Sequence, residues 1–492
     1  MIRPAMIRRA ALAAAWALLP LVGSLAGALT PATAGAQSIQ LPPIRDFKLS
    51  NGARVLLAER HDVPLVAFSA YLRGGSVTDP EGKEGVAALT AEMLRKGAGK
   101  RSAQEIAEAA DGVGGNFGTG VFLEGSWVAG DFLKQDVDLM IDLLASVLRA
   151  PTFPDSEFTK LRGQTMEAIV AAKEDPGNVF RAYGTAYFYG AHPYGRPLGG
   201  DEATVAALTR EDVLRCYREQ FGADRMILAV VGDFAIDAME AKLRAAFGDW
   251  GKAAGTIPAV KEPDRMKGRR VLLVDKPDAT QTYFWIGNRG VPILDPDRVT
   301  IDVANTAFGG SFGSIIMTEL RIKSGLTYSA SCRVQKFSAG GSIGISSFTK
   351  TETTQKAIDL ALATLRGFRA SGLDSDRVSR SRNYITGQVP TDLETAAQVA
   401  GRIASNAFYD LPREEITEYP ARVAAVDSAA VQSVVTRVYP PEADLVFVLV
   451  GNAAKVRAAA KRYGPVTEIP LSRPMIEAVR GALAGAGKPA AR

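Results

Sequence analysis

Residues 82–97 read Gly82-Lys83-Glu84-Gly85-Val86-Ala87-Ala88-Leu89-Thr90-Ala91-Glu92-Met93-Leu94-Arg95-Lys96-Gly97. They follow a strand-like run, Val66–Leu72, and a turn-rich segment, Arg73-Gly74-Gly75-Ser76 to Asp79-Pro80. Strand, turn and first helix are therefore expected in that order.

Around this stretch the chain has ordinary globular composition. Of its 492 residues 47% are hydrophobic and 23% charged, which is too long for one core and implies two or more domains. The net charge of +5 comes from 58 basic and 53 acidic residues spread along the sequence. There is no basic run or aromatic-basic interleaving, so a nucleic-acid partner has no support.

Residues 1–36 read as a secretory signal. Arg3, Arg8 and Arg9 start it, Ala10–Leu29 is apolar, and Ala34-Gly35-Ala36 offers a cleavage site before Gln37. The alternative is an uncleaved anchor, since the apolar run approaches a bilayer span. Cleavage leaves no membrane span and implies a periplasmic or secreted protein. Cys216 and Cys332 are the two cysteines and lie in different halves. Cys216 shares a helical stripe with Val213, Tyr217 and Phe221 and reads as a small buried residue, not half of a disulfide.

The chain also repeats itself. Arg54–Arg60 matches Arg270–Lys276, and Arg73-Gly74 matches Arg289-Gly290. Ile141–Arg149 matches Ile358–Arg366, and Ile227–Asp233 matches Val446–Asn452. Four matches in one order at a nearly constant offset mean duplicated domains, not a solenoid. Each half starts with strands, continues through helices such as Ala103–Asp111, Lys134–Leu148 and Asp155–Ala172, and ends in a helix and an apolar strand. The expected fold is α/β (α+β), each half a sheet packed with helices. The boundaries are 41–250 for the first domain, 251–268 for a Gly/Pro/Lys linker and 269–470 for the second domain. An Ala/Gly-rich tail, 471–492, reads as disordered after Arg480.

The order of elements from Phe47 to Gly451 resembles the two-domain subunit of the M16 metallopeptidases, the insulinase, pitrilysin and mitochondrial processing peptidase family. Asp111–Gly130 resembles its glycine-rich hairpin, Leu148–Phe158 its Pro-Thr-Phe-Pro connection, and His192-Pro193-Tyr194-Gly195 its aromatic loop. The resemblance implies two duplicated domains, each an antiparallel-rich sheet with helices, that form half of a clam-like chamber.

It also implies a zinc site on the first helix, where the family carries His-x-x-Glu-His. Here the two histidines fall on Ala88 and Glu92, and the catalytic glutamate on Ala91. In a helix these three share one face, so two methyl groups and one carboxylate stand where a metal site and its base would be. The family's third ligand, a glutamate on a later helix, falls on Ala168. Its neighbour Glu167 points about 100° away. Glu92 alone cannot hold zinc, so no metal is expected in this chain. His61 and His192 have no further ligand at metal spacing and read as turn and loop imidazoles.

A second constellation is intact. Phe308-Gly309-Gly310-Ser311-Phe312-Gly313-Ser314 leads into Glu319-Leu320-Arg321-Ile322-Lys323-Ser324-Gly325-Leu326-Thr327-Tyr328. This resembles the family stretch with an arginine and a tyrosine seven residues apart, which bind the substrate backbone across the chamber. Arg321 and Tyr328 take those places. Both can donate to a carbonyl oxygen, where charge develops in amide hydrolysis. The plainer alternative is a helix end capped by Gly325, with Arg321 solvated.

The resemblance thus implies a subunit without zinc, and the signal-like segment implies that it is exported. It would complete the chamber of a catalytic His-x-x-Glu-His partner, which carries the zinc, and bind extended peptide. A stand-alone peptide-binding or chaperone-like protein, or a structural subunit, are the alternatives.

Overall fold

The repeat in the sequence folds as two sheets of the same design. In the computed structural model, which describes residues 41–486, the first half supplies β1 (Ile44–Lys48), β2 (Arg54–Glu59), β3 (Leu65–Arg73), a small ribbon of β4 (Gly97–Ala98) and β5 (Arg101–Ser102), then β6 (Asn116–Phe122), β7 (Gly125–Leu133) and β8 (Met226–Gly232). The second half supplies β9 (Arg270–Asp275), β10 (Gln281–Arg289), β11 (Ala330–Phe337), β12 (Gly340–Lys350), β13 (Val446–Gly451) and β14 (Val466–Pro470). The expected signal segment lies outside the described residues.

The first sheet runs β1-β2-β8-β3-β7-β6 and the second, read in the same sense, β14-β9-β13-β10-β12-β11. The pairings correspond. β2 is parallel to β8 as β9 is to β13, and β3 is antiparallel to both neighbours as β10 is to its own. Only the outer strand differs: β1 lies antiparallel to β2 and comes first in its half, whereas β14 lies parallel to β9 and comes last.

The central strands are near-continuous apolar runs, as expected where both faces are covered. β13, Val-Phe-Val-Leu-Val-Gly, is buried throughout. On one face each sheet carries its own helices. Val55, Leu57, Phe68 and Val230 pack in one core with Leu143, Leu144 and Val147 of helix Val137–Arg149. Val271, Leu273 and Leu449 do the same with Leu362 and Leu365 of helix Thr354–Ser371.

The other faces are covered by exchange. Helix Ala396–Phe408, from the second half, lays Val399, Ile403 and Phe408 against Leu56, Ala67 and Val231 of the first sheet. Helix Pro176–Tyr189, from the first half, lays Val179, Tyr183 and Tyr187 against Leu272, Val446 and Val448 of the second. Each large apolar side chain buried this way contributes roughly 1.5–3 kcal/mol. The described residues, 41–486, accordingly group as one unit.

A buried polar knot ties the halves as well. Glu124, in the β6–β7 turn, accepts from the Tyr194 hydroxyl at 2.6 Å and from the backbone N–H of Ser338 at 3.0 Å. The Tyr194 hydroxyl in turn accepts from Ala339 N–H at 3.0 Å. Tyr194 comes from the His-Pro-Tyr-Gly loop, and Ser338 and Ala339 from the β11–β12 turn. Both Tyr194 and Glu124 are buried.

The tail departs from its compositional reading. Met475–Ala486 is a helix. Met475, Ala478 and Val479 bury a stripe at i, i+3, i+4 in the core beneath helix Pro176–Tyr189. The segment expected to be disordered, after Arg480, continues this helix through Ala486, and the stripe that docks it lies just before, at 475–479. The residues beyond it lie outside the described set.

Candidate functional site

The first helix spans Val86–Met93 and starts from Gly85, whose φ of 98° only glycine adopts freely. A Cβ there would also meet Gly199 O at 2.7 Å. The N-terminus is capped from a distance. The Asp79 carboxylate is buried and accepts from Gly85 N–H at 2.8 Å and Ala87 N–H at 3.0 Å. Burial pushes the Asp79 carboxyl up to about 7, against the pull of those two donors and of Arg196. Just before the helix, Glu84 is fully buried. One of its oxygens accepts from Arg480 of the C-terminal helix at 3.0 Å, and the other has no partner among the described residues.

The face aligned with a zinc site is closed to that chemistry. Ala91 is buried at 1% exposure and Ala88 is half-buried. Glu92 is ion-paired with Arg95 one turn on, at 2.9 Å. Ala168 is exposed on helix Asp155–Ala172, which packs against the first helix, and Glu167 beside it is exposed too. Four positions thus offer one carboxylate, already paired, and the residues present do not fit a catalytic zinc, which takes three protein ligands. Among the described residues no group of three or more His, Cys, Asp and Glu side chains is arranged for a metal. His61 Nδ1 lies 2.6 Å from Asp233, and His192 Nε2 lies 2.8 Å from Lys261 O, with burial lowering the His192 pKa. Cys216 and Cys332 are both buried free thiols, each pushed up in pKa by burial.

Arg321 and Tyr328, in contrast, are brought together. The segment Thr318–Lys323 is wound as a π-helix, a rare form that concentrates at functional sites. A second π turn, Thr306–Gly310, precedes it. The wide turn ends at Gly325, φ 64°, whose N–H donates to Arg321 O at 3.1 Å. Leu326 and Thr327 N–H both donate to Leu320 O, so the chain folds back on itself. Thr327 is buried, and its hydroxyl bonds Ser329 O at 2.8 Å and reaches Phe348 O as well. This anchor throws Tyr328 outward at 73% exposure.

The Arg321 guanidinium sits 4.5 Å from the Tyr328 ring centroid and 5.0 Å from that of Phe312. It is therefore sandwiched between two rings, and Phe312 is itself 63% exposed. The stack fixes a long cationic side chain with its N–H groups free at the edges. The Tyr328 hydroxyl adds a donor beside it. The sequence reading placed the pair but passed over Phe312; an aromatic inside Gly-Gly-Ser-Phe-Gly-Ser was the signal available.

Comparison with known proteins bears on the family and the fold. The family described as Insulinase (Peptidase family M16) matches residues 54–202, and that described as Peptidase M16 inactive domain matches residues 207–385. An uncharacterized zinc protease of Streptomyces coelicolor is 26% identical over 396 residues, covering 80% of this chain and 86% of its own. A similarly named protein of Bacillus subtilis is 23% identical over 363 residues, covering 74% and 88%. The solved peptidase M16 inactive domain from Pseudomonas fluorescens superposes with a TM-score of 0.78 at 22% identity, over 83% of this chain and 98% of that one. The duplicated sheets and the two family matches, which follow one another along residues 54–385, together identify the chain as a member of the M16 peptidase family.

Proposed function

We propose that this protein is an exported, zinc-less M16 subunit that completes the peptide chamber of a catalytic partner. The carrying observation is the Phe312–Arg321–Tyr328 stack: an ordered, exposed pair of donors kept in a chain whose own zinc face holds only Glu92. The partner bears the His-x-x-Glu-His helix and the zinc. This chain contributes Arg321 and Tyr328 as donors to a peptide carbonyl. They bind and orient an extended segment while the charge on its oxygen grows. No cofactor belongs to this chain. The signal-like residues 1–36 support action in the periplasm or outside the cell.

Purification of the mature chain from its native host, with mass spectrometry of what accompanies it, tests the partnership. A co-purifying M16 chain with His-x-x-Glu-His is the expected result. Arg321→Ala and Tyr328→Phe are then made in the assembled pair. Loss of one such donor lowers turnover by roughly a hundredfold to a thousandfold while assembly persists. The chain alone, after dialysis, holds no stoichiometric zinc and cleaves no fluorogenic peptide. Variants that assemble and cleave at the unmodified rate would make this chain a scaffold only.

A further inference from the structure

Helix Pro176–Tyr189 covers β9, β13 and β10 of the second sheet but leaves the same face of β12 and β11 open. The result is a groove of about 340 Å³ between the helix and the strands, within the range of ligand pockets. We infer that this groove is a peptide side-chain pocket, selective for a large apolar residue next to an acidic one.

The floor is aromatic and was made so at some cost to the sheet. Trp285 lies flat across Gly344; a Cβ there would sit 2.2 Å from the Trp285 ring. The Phe188 ring meets Trp285 edge-on at 5.2 Å, and Tyr283 stacks on Phe348 at 5.0 Å. Beside this apolar floor stand hydroxyls. Ser331 and Ser346 face each other across β11 and β12, in register with Trp285. Two cations complete the lining, Arg181 on the helix wall and Arg333 on β11. Both are exposed, and neither has an ion-pair partner among the described residues. The nearby carboxylate of Asp175 is turned into the helix N-terminus, where it accepts from Gly177 and Asn178 N–H.

This chemistry selects the occupant. A flat apolar or aromatic side chain stacks on Trp285, and a carboxylate beside it meets guanidinium groups that have no other partner. A peptide is favoured over a free anion because the lining sets an aromatic floor beside the two guanidinium groups, and Ser329, in the lining, is the residue after Tyr328 in sequence. The inference shares with the proposed function the premise that the ligand is a peptide. It requires no catalytic partner.

The test uses the isolated chain and four fluorescein-labelled heptapeptides of alanine and serine, differing at two central positions. These hold phenylalanine–aspartate, alanine–aspartate, phenylalanine–lysine or alanine–lysine. Fluorescence anisotropy should show saturable binding of the first, and at least tenfold weaker binding of the others. Ser331→Trp, which fills the groove, and Arg333→Glu should each weaken the first peptide tenfold or more. Arg181→Glu on the opposite wall is read in the same way, so a Ser331→Trp chain that melts early by circular dichroism leaves the test intact. The inference fails if no peptide binds saturably, if all four bind alike, or if the groove variants bind normally. Loss confined to an Arg321→Ala/Tyr328→Phe chain would place the peptide on that pair, overturning the groove and leaving the proposed function standing.

Discussion

Removing the Glu124 carboxylate tests how firmly the halves are tied. Glu124→Ala leaves the Tyr194 hydroxyl and the Ser338 N–H without their acceptor in a buried site. Each unsatisfied donor costs roughly 1–3 kcal/mol. The variant regains part of this because a carboxylate no longer has to be desolvated. We therefore expect a loss of about 3–4 kcal/mol in urea unfolding. Unfolding entropy near 2.1 cal/mol/K per residue over about 450 residues gives about 0.9 kcal/mol/K, hence a Tm lowered by about 3–5 °C. Glu124→Gln keeps the shape and an acceptor and should lose less. The decisive measurement is a double-mutant cycle with Tyr194→Phe, where residues in one network couple by about 0.5–3 kcal/mol. Additive losses, or a Glu124→Ala chain within about 0.5 kcal/mol of the parent, would refute the reasoning.

Three further outcomes are expected. The folded chain holds the Asp79 proton more tightly than the unfolded chain, so stability from this group is present below the ordinary carboxyl pKa of 3.8 and is lost as pH rises toward about 7. The Tm of the parent minus that of Asp79→Asn should fall across that window; a flat or rising difference contradicts the assignment. Phe312→Ala removes one face of the Arg321 sandwich, about 0.5–1 kcal/mol, and should lower kcat/KM of the assembled pair about two- to fivefold, with Phe312→Tyr restoring it. Residues 41–268 and 251–486, expressed apart, should lack cooperative unfolding by calorimetry and recover it when mixed, because each sheet lacks the helix that covers its second face.

Much of the fold was legible because it is local. The matched segments Arg54–Arg60 and Arg270–Lys276 became β2 and β9, and Ile227–Asp233 and Val446–Asn452 became β8 and β13. Helices Ala103–Asp111 and Asp155–Ala172 start and stop where their patterns do. The exchange of helices was not legible, since an apolar stripe such as Val399-Ile403 says that it is buried but not by which sheet. The C-terminal helix was hidden by glycine and alanine content. At the site, the family resemblance singled out Arg321 and Tyr328, but their stacking depends on a π-wound turn that no residue pattern announces. The Glu124 knot joins three turns distant in sequence, and a single acid in a hairpin gives no sign of it.

The reciprocal helices also constrain descent. A half of this chain standing alone would expose the second face of its sheet and leave its own lent helix without a seat. An ancestor of half the length would have had to exist as a pair of identical copies, each lending a helix to the other about a two-fold axis. Duplication within one gene then made that pairing permanent. It also freed the copies to diverge, as the outer strands do: β1 lies antiparallel to its neighbour and β14 parallel.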